Sequence, residues 1–232
     1  MLKQLTIAAL AVALSLSTVG TAQAAGTATV YIIHGIRGQD LGLDPRLPVD
    51  VSVNGACTLR NFTFGRQAGP LRLAAGTYAI AISLANSDKP CSNQAVIAAD
   101  VPFAAGENAT VIAHVDAAGA PTASKFVNDL SAIERGQSRV IVRHAAAAPT
   151  VDVRLTRGSS SATLEDLSNG GELKADIRRG LYRVSLLAAN TETVAFGPRP
   201  IFVFPRIVTV YYAVGSLETG SLTLLTQYLF VH

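Results

Sequence analysis

A chain of 232 residues with a formal net charge of +3, no Trp, two Cys and four His has room for one large domain or two of about a hundred residues, the size a β-sandwich usually takes. Its basic excess is spread along the chain, and the densest pair, Arg178-Arg179, has no aromatics interleaved, so no basic stripe for nucleic acid is read. After the first residues no segment reaches the roughly 18 unbroken apolar residues of a membrane-spanning helix.

The N-terminus predicts export. Lys3 precedes an apolar run from Leu5 to Leu16, and Ala22-Gln23-Ala24 supplies the small-x-small pattern cut by a signal peptidase. The run is too short for a membrane anchor, and no Cys follows the cleavage site to carry a lipid. Residues 1–24 are therefore expected to be removed, leaving a soluble protein that is secreted or periplasmic in a bacterium. In that oxidising compartment the only two cysteines, Cys57 and Cys91, are expected to form one disulfide. A redox or metal-binding thiol pair would need the C-x-x-C spacing they lack.

In chain order, the strand signals come in two matching sets. Val30-Tyr31-Ile32-Ile33-His34 matches Val140-Ile141-Val142-Arg143-His144, and Pro48-Val49-Asp50-Val51 matches Pro149-Thr150-Val151-Asp152-Val153. Gly76-Thr77-Tyr78 then matches Gly180-Leu181-Tyr182, and Thr110-Val111-Ile112-Ala113 matches Thr209-Val210-Tyr211-Tyr212. The segments alternate with period two. Tyr78, Ile80, Ile82 and Leu84 share one face, while Val208, Val210, Tyr212 and Val214 oppose Thr209 and Tyr211. One apolar face per strand predicts sheets that pack on one side only. Turn signals such as Asn54-Gly55, Ala75-Gly76 and Asn169-Gly170-Gly171 separate the runs. The pattern predicts an all-β chain of two tandem immunoglobulin-like β-sandwich domains, over 25–130 and 138–232, with 131–137 as linker. The Gly-x-Tyr at 76–78 and 180–182 hints at a tyrosine corner.

A hydrophobic strand ending in His, then Ala-x-x-Pro-x-Val-Asp-Val at His144 through Val153, then Ala-Gly-Thr-Tyr at Ala75 through Tyr78, resembles the domain of unknown function 4397 family. The resemblance implies an exported bacterial protein with tandem immunoglobulin-like sandwiches, and implies no activity. Two departures stand out. The first copy carries an insertion, Gly35 through Leu47, between His34 and Pro48, and the second has Arg-Gly-Leu-Tyr in place of Ala-Gly-Thr-Tyr.

His34 and His144 recur with Asp50 and Asp152, a pairing that would suit a metal with a carboxylate ligand. Alternation argues against it: the histidines share the core face with their Val and Ile neighbours, and the aspartates should point outward. An imidazole that closes its strand end by bonding loop backbone is the expected role. No metal site, cofactor or catalytic residue is predicted. Gly158-Ser159-Ser160-Ser161 lacks the G-x-S-x-G elbow, Glu165-Asp166 reads as a solvated turn, and no phosphate-binding glycine pattern occurs. His114 and Tyr211 are expected to face outward, Tyr211 as a single platform for a sugar ring. The 35–47 insertion is the strongest functional clue, since long loops at a sandwich end carry specificity. Candidate binding residues are thus His34, Arg37, Asp40, Arg46 and Tyr211. Deleting the loop is expected to remove binding and leave stability nearly intact. The function expected is a non-catalytic extracytoplasmic module with a protein or cell-envelope partner; the alternative is a periplasmic small-ligand or metal-binding protein using His34 and the 35–47 loop.

A bridge between Cys57 and Cys91 should stabilise the fold by about 3–4 kcal/mol through loop closure. Mass measured before and after reduction should report the bridge, and Cys57→Ser should lower the midpoint of denaturant unfolding accordingly.

Overall fold

The computed structural model describes residues 26–231, so the expected leader and its cleavage site lie outside the described residues. Eight strands come from the first half: β1 (Thr27–His34), β2 (Val49–Val53), β3 (Ala56–Phe62), β4 (Gln67–Ala74), β5 (Gly76–Leu84), β6 (Ala95–Phe103), β7 (Asn108–Val115) and β8 (Pro121–Val127). Eight more follow: β9 (Gln137–Ala147), β10 (Val151–Arg157), β11 (Ser160–Leu167), β12 (Glu172–Arg178), β13 (Gly180–Ala188), β14 (Val194–Val203), β15 (Ile207–Ser216) and β16 (Thr223–Phe230). They form four-stranded sheets ordered β4-β1-β7-β8 and β3-β2-β5-β6 in the first half, and β12-β9-β15-β16 and β11-β10-β13-β14 in the second. The order is the same in both halves, so the duplication extends to every strand.

Each half is a two-sheet sandwich closed over its own apolar core. The first strand of each lies parallel to the seventh, β1 against β7 and β9 against β15, while all other pairings are antiparallel. Where the chain crosses from one sheet to the other, the Tyr78 hydroxyl donates to the Ala74 carbonyl at 3.0 Å and Tyr182 donates to Arg178 at 2.8 Å. Gly76 and Gly180 make these corners with φ of 157° and 146°, values a side chain disfavours. The Gly-x-Tyr pairs are therefore corner pins in both copies. Cys57 on β3 is bonded to Cys91 in the β5–β6 connection, tying an edge strand to a long loop. Among the described residues no helix is long and apolar enough to cross a membrane.

A third apolar core lies between the two sandwiches. Ile33, Ile112 and Phe126 of the first meet Ile141, Val208, Val210, Tyr212, Val214 and Leu229 of the second. The central strands of the sheets containing β1 and β9 are thus covered on both faces, with β7 and β15 buried along nearly their whole length, while the edge strands β4 and β12 keep exposed side chains. The other two sheets keep the alternating pattern of one-sided packing, as on β13.

This third core corrects the outward placement of two residues. His114 does point away from its own sandwich, but the second sandwich covers it, leaving it 1% exposed. Tyr211 faces its own core at 4% exposure, while Tyr212 enters the third core. Pairing with the parallel strand sets the true register: Ala113 lies opposite His34, and Ala213 opposite His144. Val111 therefore corresponds to Tyr211, whereas the sequence match aligns it with Val210. A one-residue slip reverses every side chain on a strand. It went unseen because both faces of β15 are apolar.

Polar groups embedded in the third core fix its alignment. Arg143 is fully buried and donates to Asn128 Oδ1 at 2.9 Å, Tyr212 Oη at 2.7 Å and Glu172 Oε2 at 2.9 Å, with its guanidinium 4.6 Å from the centre of the Phe126 ring. Tyr212 and Thr110 both donate to Gln227 Oε1. The connecting residue Asp129 is held by Arg139 at 2.8 Å and Lys174 at 2.6 Å. Arg143→Ala should cost about 3 kcal/mol, since it leaves Asn128, Tyr212 and Glu172 without their common partner. Urea unfolding monitored by circular dichroism would measure this, and Arg143→Lys should restore only part of the loss because it lacks the planar fork.

Candidate functional site

The ends of the two sandwiches repeat one arrangement. On β1, His34 donates from Nε2 to the Leu47 carbonyl at 2.9 Å, and its Nδ1 accepts from the Ile36 amide at 3.3 Å. On β9, His144 donates to Pro149 at 3.0 Å and accepts from Ala146 at 3.4 Å. Each ring fastens the loop that follows its strand, and both of its nitrogens are engaged. The same imidazole therefore closes connections of different length, 35–48 after β1 and 148–150 after β9.

The aspartates close the neighbouring loops. Alternation predicted an outward direction, but Asp50 is 1% exposed and Asp152 is 6% exposed. Asp50 accepts the amides of Asn61, Asn86 and Cys91 at 3.0, 3.1 and 2.9 Å. Asp152 accepts those of Asp166 and Asn190, each at 2.9 Å. The carboxylates do leave the sandwich core, and are then covered by the irregular end of the neighbouring edge strand (Asn61 on β3, Asp166 on β11) and by the loop after β5 or β13, whose backbone donors they satisfy. Burial alone would raise the Asp50 carboxyl, but the three amides outweigh it and hold it below the ordinary value.

The 35–47 insertion is packed rather than free. Ile36 and Leu47 join the first core, and Leu41 rests against it. A short 3-10 turn, Gly38–Leu41, brings Gly38 so close to Asp44 that a side chain there would strike the Asp44 carbonyl. This turn presents Asp40, whose Oδ1 accepts the hydroxyls of Thr219 and Ser221 at 2.6 Å each, across the gap to the second sandwich. Arg37 stacks over Phe64 at 4.5 Å. Arg46 is the candidate left facing solvent, its guanidinium 3.7 Å from the Asp44 carboxylate. The structure thus places Arg37 and Asp40 in one loop with His34 at its root on β1, leaves Arg46 at its rim and places Tyr211 in the other sandwich. The expectation that deleting the loop leaves stability nearly intact is corrected: deletion removes core residues and a strap between the sandwiches. Asp40 as a strap was illegible in sequence, because its partners lie about 180 residues away.

Beneath this loop lies a small cavity of about 70 Å³, walled by Ile36, Leu41, Leu43, Leu84, Val96 and the edge of His34. Its walls are apolar. Among the described residues no cluster of three or more His, Cys, Asp or Glu side chains is placed to hold a metal ion.

A model of the domain of unknown function (DUF4397) family matches residues 28–154, the whole first sandwich together with β9 and most of β10. No curated protein matches the chain. Among solved structures, the Bacillus anthracis TIE protein is similar at 10% identity and a TM-score of 0.24, over 78% of this chain and 32% of that one. The chain thus spans about a third of that protein's length.

The three interior histidines set a pH dependence. Burial lowers the pKa of His34, His114 and His144, and their hydrogen bonds to backbone carbonyls offset this only in part. A depressed imidazole leaves the unfolded chain binding more protons between the folded pKa and about 6.5. Stability should therefore be fully present above about pH 7 and fall as pH drops below about 6.5, by up to about 1.4 kcal/mol per pH unit for each ring. Urea midpoints across pH 5 to 8 would show this slope, and His114→Gln should reduce it by one ring's share.

Proposed function

Because this chain belongs to the domain of unknown function 4397 family, a membership that fixes no activity, we propose that it is a non-catalytic extracytoplasmic β-sandwich module engaging a protein or cell-envelope partner. The observation that carries this reading is the shared use of His34 with His144 and of Asp50 with Asp152. In both copies these titratable side chains are committed to backbone groups. Such commitment suits a scaffold that presents surface. The Cys57–Cys91 bridge supports an oxidising compartment, in keeping with the secretory leader read from residues 1–24. The third core supports presentation as one rigid body.

A second reading, a periplasmic small-ligand protein using His34 and the 35–47 loop, is favoured by the cavity beneath that loop. Its apolar wall suits a small apolar molecule. A metal would have to displace both hydrogen bonds of His34.

Crosslinking of the native protein in its own compartment, followed by mass spectrometry, separates these readings. The module reading expects a reproducible partner joined through a loop or an exposed strand edge. A monomer without crosslinks, together with a saturable thermal shift from a small apolar compound that Leu41→Ala abolishes, would sink it in favour of the second.

A further inference from the structure

The basic residues that look scattered in the sequence gather, in the second sandwich, around an exposed aromatic cluster. Leu181 and Phe202 are cross-strand neighbours on the outer face of their sheet. The Phe202 ring lies 4.7 Å from Phe204, and Phe204 lies 5.8 Å from Tyr228. Phe230 continues the patch along β16 and is 62% exposed, against 61% for Leu181 and 49% for Phe202. Isolated apolar side chains on a surface are ordinary, but a contiguous cluster of this kind marks an interaction site.

Four arginines border it. Arg179 precedes Leu181 by two residues, and Arg206 follows Phe204 by two. Arg183 lies opposite Pro200 on the face that carries Leu181 and Phe202, and Arg199 lines a cleft together with Phe202 and Tyr228. All four are exposed, and none takes part in an ion pair among the described residues. The carboxylates of this copy are elsewhere. Glu172 and Asp176 are bound to Arg143 and Arg139. Asp152, Glu165, Asp166, Glu192 and Glu218 fall at the opposite end, beside His144, by strand register.

The first sandwich provides an internal control. The strand registers put Ala75, Ala79, Ala99 and Gly106 where the second copy has Arg179, Arg183, Arg199 and Arg206. They put Thr77, Pro102 and Ala104 at the positions of Leu181, Phe202 and Phe204. The same fold closes without any of these side chains, so folding does not account for them.

We propose that this end of the second sandwich docks on an anionic lipid surface, with the arginines on headgroup phosphates and Phe202, Phe204 and Phe230 in the acyl boundary. Two features favour a bilayer over a sugar. Most of the cluster is Phe and Leu, which have no polar tip to bond a hydroxyl, and it stands at the end and mouth of the sandwich with fixed cations around it. This deepens the envelope-interaction reading of the function and rests on it.

The chain has no Trp, so Phe204→Trp makes a single fluorescent reporter inside the cluster. The protein is mixed with phosphatidylcholine vesicles that contain or lack phosphatidylglycerol, at low and high salt. Binding is expected with the anionic vesicles, together with a blue shift of the reporter and weakening in high salt. Restoring the first-copy residues (Arg179→Ala, Arg183→Ala, Arg199→Ala and Arg206→Gly together) should lower partitioning about six-hundredfold, at roughly fivefold per arginine. Phe202→Ala with Phe204→Ala should lower it about tenfold. Thermal unfolding of each variant checks that the fold is kept. Failure to bind anionic vesicles, equal binding by the arginine variant, or binding without a blue shift overturns the lipid proposal. A protein that ignores vesicles yet still crosslinks to an envelope protein refutes this inference and leaves the module reading standing. One that does neither sinks both.

Discussion

Everything in this molecule depends on two sheets whose central strands cannot face water on either side. The sheet containing β1 and β7 closes the first sandwich with one face and carries Ile33 and Ile112 on the other; the sheet containing β9 and β15 does the same with Ile141, Val208 and Tyr212. Separating the sandwiches would expose both outer faces at once, at about 25 cal/mol per Å² of apolar surface. It would also strip Arg143 of its partner Asn128 and Asp40 of its partners Thr219 and Ser221. The order of layers follows from this: two one-sided sheets outside, and within them two sheets covered on both faces at their central strands. The insertion at 35–47 and the connection through Asp129 then serve as straps on a stack that the apolar faces already define.

The parts legible in sequence were those with local signatures. Strand alternation and matched segments revealed the duplicated sandwich, and Gly-x-Tyr marked the corner where Tyr78 and Tyr182 bond backward by four residues. The histidines were assigned to the core face, where each proves to bond loop backbone. What escaped was long-range. Nothing in β15 distinguishes the face that meets its own core from the face that meets the other sandwich, because both are apolar. A near-continuous apolar strand is the signature of burial on both sides, and that signal was present along Val208 through Val214. Asp50 and Asp152 were misjudged for another reason. Alternation reports which way a side chain leaves the sheet, and is silent on whether a loop will fold over it.

The two copies have diverged unevenly. Their strand order, corner tyrosines, loop-closing histidines and buried aspartates are held in common, and these are the features a sandwich needs to close. Among the differences are the insertion after β1 and the Cys57–Cys91 bridge, present only in the first copy, and the arginine and aromatic cluster at the base of the second. Duplication relieves each copy of doing everything: one lengthens a loop to reach its neighbour, and the other decorates an end that its neighbour leaves bare.

The seam between the copies also determines what may sit there. Both sandwiches present the same face of the same sheet, the pattern of a two-fold dimer whose halves have been joined in one chain. Yet corresponding positions no longer match: Ile33 stands for Arg143, Phe126 for Gln227 and Asn128 for Leu229. Two second copies meeting in this geometry would set the Arg143 guanidinium against Leu229, a buried charge facing a hydrocarbon. Two first copies would lack the cation that Asn128 accommodates. Each half is therefore shaped to refuse its own twin, and the chain carries, in one buried arginine, the means to tell its first sandwich from its second.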